Sequence, residues 1–143
     1  MQVSLITCTN NSETTIKNCC NSVSSQTYGN IEHIIIDKSS QDETVSIVKN
    51  FGIKNLEIYQ QKSLGIYGAL NEGMKLSKGE IICILNSDDY FYPNALKIIN
   101  SYFEKNKDLG YIFGAVKKNN RILYRLEKKK IFYKFNVYPS HSV

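Results

Sequence analysis

Two neighbouring carboxylates, Asp88 and Asp89, follow directly on the run Ile81-Ile82-Cys83-Ile84-Leu85-Asn86-Ser87. Successive apolar residues of this kind read as a short strand buried on both faces, so the acids stand where a strand ends. Two adjacent anions need a partner. At a strand end in an open α/β sheet the natural partners are a divalent cation and a phosphate-bearing ligand. The same pair could instead open a surface turn and cap the helix that follows Pro93. A third carboxylate, Asp37, closes the β-branched run Ile31 to Ile36, and the polar stretch Cys8-Thr9-Asn10-Asn11-Ser12 follows the apolar run Val3 to Thr7.

The elements that must hold these residues follow from periodicity. Val3 to Thr7, Ile31 to Ile36, Leu56 to Tyr59 and the run from Ile81 are read as strands. Between them, Ile16, Cys19, Cys20 and Val23 recur at helical spacing. Asp42 N-caps a helix carrying Val45 and Val48, and a third helix runs from Gly65 to Leu76, ending near Gly79. Pro93 suits the first turn of a fourth helix through Phe103. Strand and helix alternating four times imply a mostly parallel sheet with helices on both faces. The polar residues after each strand, Thr9 to Ser12, Asp37 to Asp42, Gln60 to Ser63 and Asn86 to Asp89, then gather along one sheet edge. The first turn lacks G-x-G-x-x-G and the chain lacks G-x-x-x-x-G-K-[ST], which argues against a dinucleotide site and a P-loop. A receiver-like signalling domain needs an acidic pair after its first strand, and Thr7 to Ser12 contains none.

Composition narrows the classes further. No apolar run in the 143 residues approaches a membrane span, and the N-terminus lacks the basic start and cleavage site of a signal peptide, so a cytoplasmic location is expected. Cys8, Cys19, Cys20 and Cys83 form no C-x-x-C pair and read as core residues or free thiols. The net charge of +5 is concentrated between Lys117 and Lys134, where eight basic residues face Glu127 alone. Tyr111 to Val116 and Arg121 to Leu126 read as a C-terminal hairpin around Asn119-Asn120. This basic segment is either a solvated hairpin or a peripheral contact with an anionic membrane at its inner face. Binding to nucleic acid through it would be unspecific.

Five blocks carry a resemblance. They are Val3 to Ser12; Ser22 to Tyr28; Ile34 to Asp37 with Ser40, Asp42 and Thr44; Gly65-Ile66-Tyr67 with Ala69, Asn71 and Gly73; and Gly79 to Ile82 leading to Asn86-Ser87-Asp88-Asp89. In this order and spacing, over about residues 3 to 100, the chain resembles the family 2 glycosyltransferases. The resemblance implies a GT-A fold of Rossmann-like α/β type over residues 1–116 and a nucleotide-diphosphate-sugar donor. It also implies a divalent cation, Mn²⁺ or Mg²⁺, and inverting transfer to a glycan or lipid-linked acceptor, as in cell-surface polysaccharide synthesis. Carried over by position, Thr9, Asn11, Asp37, Ser63 and Asp88 would border the nucleotide, with Asp89 and Asp88 on the metal. Several positions depart from the pattern. Lys38 and Ser39 stand where glycines or a second acid are usual, Ser63 replaces an acid ahead of Gly65, and Gly68 replaces a further acid. Lys38 either pairs with a phosphate or faces water.

The acceptor half is expected to be incomplete. Inverting transfer needs a general base at the acceptor hydroxyl, and after Asp89 the only acids are Glu104, Asp108 and Glu127. Each reads as a surface charge, so no catalytic residue is assigned. Tyr138 to Val143 resembles the start of a His-containing acceptor block, making His141 an acceptor-side candidate and residues 117–143 the start of a truncated region. The alternative is a non-catalytic nucleotide-sugar-binding fragment or degenerate paralogue.

Overall fold

A computed structural model describes residues 1–114, 117–118, 121–122 and 128–130. Its first compact unit, Met1–Asn100, carries a four-stranded parallel sheet in the order β3-β2-β1-β4. The strands are β1 (Val3–Thr9), β2 (Ile31–Asp37), β3 (Leu56–Gln60) and β4 (Ile81–Ile84). Helices α1 (Ile16–Ser24), α2 (Thr44–Asn50) and α3 (Gly65–Leu76) connect them, and α4 (Ala95–Lys105) follows β4. The alternation expected from sequence is therefore the observed one, with β1 and β2 each reaching further toward the polar edge than their apolar runs suggested.

The two faces of the sheet bury different sets of side chains. Leu5 and Ile35 pack with Ile16, Cys19, Cys20 and Val23 of α1 and Val48 of α2. Ile6, Ile34 and Ile36 pack on the other face against Ala69 and Leu70 of α3. Successive strand residues point to opposite faces, so β1 and β2 must be apolar on both to lie between two helical layers. Gly73 lets α3 come close to the sheet: a Cβ at that position would lie 2.5 Å from Cγ2 of the fully buried Ile6.

The strand before the acid pair differs from expectation. Among the described residues β4 pairs with β1 alone and forms a sheet edge, and Ile82 is 44% exposed. The most buried strands are β1 and β2. An apolar run records what a strand can bury but not how many neighbours it has, which is why the edge was not visible in it. Helix α2 also begins later than expected. Asp42 lies two residues ahead of it and accepts hydrogen bonds from the Thr44 N–H (3.0 Å) and Thr44 Oγ1 (2.5 Å). Pro93 precedes α4 instead of lying in its first turn.

Beyond α4, β5 (Leu109–Ile112) pairs antiparallel with β8 (Lys128–Lys130), and β6 (Lys117–Lys118) with β7 (Arg121–Ile122). The described partner of Tyr111 is thus Lys129, and residues 115–116, 119–120 and 123–126 of the expected hairpin lie outside the described residues, as does His141.

One buried polar group sits beneath α1. His33 of β2 is fully buried, with Nε2 2.9 Å from Thr7 Oγ1, and Thr7 is also hydrogen-bonded to the Cys19 thiol. Burial lowers the His33 pKa from 6.5 to about 4, so the ring is neutral at pH 7. The unfolded chain takes up a proton that the folded chain refuses between those two values. Stability is therefore full above pH 6.5 and falls as the pH drops toward 4, by about 3 kcal/mol if this group acts alone.

Two stability measurements follow. Thermal melts from pH 7 to pH 4 should fall less steeply for His33→Asn than for the parent chain. Gly73→Ala should lower stability by about 1–2 kcal/mol in urea titration, because overpacking against Ile6 outweighs the gain in helix propensity.

Candidate active site

Parallel register brings the strand ends together. Thr9 pairs with Asp37 and Asp37 with Gln60, while Leu85 N–H donates to Ile6 O at 3.0 Å just past the last β4 residue. The loops that leave these four ends form one rim, as the topology required.

The rim is organised around Asp37. Its carboxylate is 6% exposed and accepts three hydrogen bonds: from Thr9 Oγ1 at 2.7 Å, Ser40 Oγ at 2.6 Å and the Ser40 N–H at 2.8 Å. Backbone bonds close the same junction, with Lys38 N–H donating to Thr9 O and Gln61 N–H to Asp37 O, each at 2.8 Å. Ser40 Oγ accepts in turn from the Asn11 N–H (2.9 Å), and Asn11 Oδ1 accepts from the Gln41 N–H (2.8 Å). Asn11 has φ 49°, a left-handed conformation that asparagine tolerates better than most residues. Its side chain therefore serves the joint between the first two loops.

The first loop is also tied to the acid loop. Ser12 Oγ lies 3.0 Å from Ser87 Oγ, and the Ser12 N–H donates to Thr44 Oγ1 at 2.7 Å. Asp89 closes a turn: its N–H donates to Asn86 O (3.1 Å) and its Oδ2 accepts from Asn86 Nδ2 (3.3 Å). Both Asp88 and Asp89 are exposed. The segment beyond them is pinned by the end of α1. Ser22 Oγ accepts from the Phe91 N–H (3.1 Å), Gln26 Nε2 donates to Tyr92 O (2.9 Å), and Gln26 Oε1 accepts from the Leu96 N–H (3.1 Å), capping α4. Ser22 and Gln26 fall within a block that matches the family pattern, but nothing in their residue type marks them as supports of the acid loop.

A cavity of about 310 Å³ opens on this rim. Thr9, Asn10, Ser12, Gln61 and Ser87 supply hydroxyl and amide groups to its wall. Lys38 lines it as well, and Cys8, Gly65 and Ile66 complete it. Burial pushes the Cys8 thiol up to about 11, so it lines the cavity as a protonated, uncharged group, and all four cysteines are free. Thr9 is thus in the wall, Asp37 lies beneath it, and Asn11 is on the rim. Ser63 is not among the lining residues; Gln61 takes that place, its Nε2 donating to Ser63 O (2.6 Å) and Gly65 O (3.0 Å). Ser63 turns toward α3, where its N–H donates to Glu72 Oε1 and its Oγ stands 2.5 Å from where a Cβ at Gly68 would lie. The two departures from the family pattern, at 63 and 68, therefore share one space.

Hard oxygen donors at Asp88 and Asp89 suit a Mg²⁺ or Mn²⁺ that completes its shell with water and substrate phosphate. Asp89 Oδ1 has no protein partner among the described residues, and these contain no cluster of three or more His, Cys, Asp or Glu that would enclose a cation by itself. The donor set thus fits an open cation site that shares its metal with a ligand.

Comparison with known proteins agrees with this geometry. The chain is 38% identical over 108 residues to the Escherichia coli UDP-Glc:alpha-D-GlcNAc-diphosphoundecaprenol beta-1,3-glucosyltransferase WfaP, covering 73% of this chain and 42% of that protein. It is 31% identical over 135 residues to an uncharacterized glycosyltransferase of Rickettsia bellii, covering 90% of this chain and 19% of that one. Against the crystal structure of S. aureus TarS in complex with UDP-GlcNAc the TM-score is 0.71 at 30% identity, over 76% of this chain and 33% of that chain. The mannosyltransferase PcManGT of Pyrobaculum calidifontis, in complex with GDP-Man and Mn²⁺, shares the fold with a TM-score of 0.70 at 22% identity, over 82% of this chain and 36% of that chain. The chain spans about a sixth to a third of the length of the curated rickettsial relatives it matches, 16% in one and 34% in another. The family model described as Glycosyl transferase family 2 matches residues 4–140, and the chain belongs to that family.

Proposed function

We propose that this chain binds a nucleotide-diphosphate-sugar at the rim of β1, β2 and β4 and serves inverting glycosyl transfer to a glycan or lipid-linked acceptor. The observation that carries the reading is a cavity of about 310 Å³ lined by Thr9 and Ser87, with Asp37 held to Thr9 behind its wall and the exposed Asp88 and Asp89, which do not line it, directly following Ser87 in the Asn86–Asp89 turn. Thr9 and the buried Asp37 hold the nucleoside end, and Asp88 and Asp89 hold the cation against the diphosphate. When bound, the cation supplies Lewis acidity to the departing β-phosphate, whose negative charge grows as the glycosidic bond breaks. The chain's own part is to present two carboxylates from a turn already fixed, by the contact of Ser12 with Ser87 within it and by Ser22 and Gln26 on the segment after it. Preset geometry of this kind lowers the ordering cost of binding.

The acceptor is drawn from the relatives. WfaP is named for transfer to a diphosphoundecaprenol-linked sugar, and a lipid-linked acceptor would bring this chain to the cytoplasmic face of a membrane. The described residues contain no helix long and apolar enough to cross one. We assign no general base: Glu104 and Asp108 are exposed at the end of α4 and in the connection after it.

Calorimetry with UDP and GDP, with Mn²⁺ and with chelator, tests the reading. Asp89→Asn should remove the metal-linked part of nucleotide affinity, a loss of about tenfold or more, while leaving the melting temperature within about 2 °C of the parent, as expected for an exposed side chain. Equal metal-linked affinities in variant and parent would refute the assignment.

A further inference from the structure

Among the residues that line the cavity, Lys38 alone carries a formal charge. Its ammonium has no ion pair or hydrogen bond among the described residues, whereas Lys78 is paired with Glu57 at 2.8 Å. The carboxylate next to it in sequence, Asp37, is already held by Thr9 and Ser40 and does not neutralise it. The remaining polar lining, from Thr9, Asn10, Ser12, Gln61 and Ser87, is uncharged, and Cys8 is protonated. A concave site with a single unpaired cation attracts an anion, and a lysine on its flexible stem meets phosphate as a point charge. Position strengthens the argument. In the order β3-β2-β1-β4 the loop after β2 carries Lys38 and the loop after β4 carries Asp88 and Asp89, so ammonium and acid pair flank the β1 loop from opposite sides. A diphosphate lying over that loop can meet the cation of the acid pair on one side and Lys38 on the other.

We propose that Lys38 is a specificity-determining residue of this site: its ammonium binds the nucleotide's phosphate directly, so that part of the affinity for a nucleoside diphosphate does not depend on a divalent cation. The inference rests on the nucleotide-binding reading above. A glycine or second acid at this position, the residues of the family pattern, would not supply that positive charge.

Calorimetry on the 143-residue chain tests it, with UDP, GDP, uridine and guanosine, each in Mn²⁺ and in EDTA. The parent chain should still bind UDP or GDP in EDTA. Lys38→Gln should weaken that binding by about tenfold or more while changing nucleoside affinity by less than about twofold, and Lys38→Arg should restore most of it. Circular dichroism melts confirm that the variants fold. Nucleoside diphosphate binding that is equal in Lys38→Gln and parent, or that vanishes from the parent in EDTA, overturns the inference and leaves the nucleotide reading standing. A parent chain that binds neither nucleoside diphosphate under either condition overturns that reading and the inference with it.

Discussion

A buried carboxylate with three donors holds the functional edge of this sheet together. Asp37 ends β2 inside the protein, 6% exposed, and its charge is matched by Thr9 from β1 and Ser40 from its own loop. A buried anion without such donors would cost several kcal/mol, so the loops after β1 and β2 must close around it. From that junction the rest of the rim follows. Ser40 positions Asn11, Asn11 positions Gln41, and the next residue on, Ser12, reaches the acid loop through Ser87. The chemistry of the site is built on a fold-level obligation to satisfy one charge.

The acid loop obeys a different logic. Asp88 and Asp89 are exposed, and their strand is an edge of the described sheet, so burial does not fix them. Their place is set by tethers at both ends, including the Gln26 amide, which donates to Tyr92 O and accepts from the first turn of α4. An exposed pair held this way can exchange water for a cation and phosphate oxygens without the protein rearranging around it. One half of the site is thus rigid by burial and the other by anchoring.

How much of this could be read from sequence varies with the kind of interaction. The four parallel strands, their helices and the gathering of Thr9, Asp37 and Asp88-Asp89 on one edge follow from periodicity and topology alone, and the third helix, expected over about Gly65 to Leu76, runs from Gly65 to Leu76. Interactions that depend on partners distant in sequence were not legible. Ile81 to Leu85 looks like an interior strand because its composition says nothing of its neighbours, and Ile82 proves 44% exposed. Gln61 lines the cavity where Ser63 was expected, because a glutamine after a strand carries no signal until Gly65 O and Ser63 O are placed within its reach. His33 was equally silent: only the stacking of α1 over β1 and β2 makes it a buried neutral ring.

The contact between Ser63 and Gly68 bears on how this sequence can have diverged. A side chain at 68 and the present side chain at 63 compete for one volume, with Ser63 Oγ 2.5 Å from a Cβ at 68. Substitutions at neighbouring positions that share a space are not additive. With Ser63 in its present position, a larger residue at 68 requires the Ser63 side chain to move. The two positions are thus coupled: the room at 68 depends on how the side chain at 63 is turned, and a substitution at either is read with the other in view.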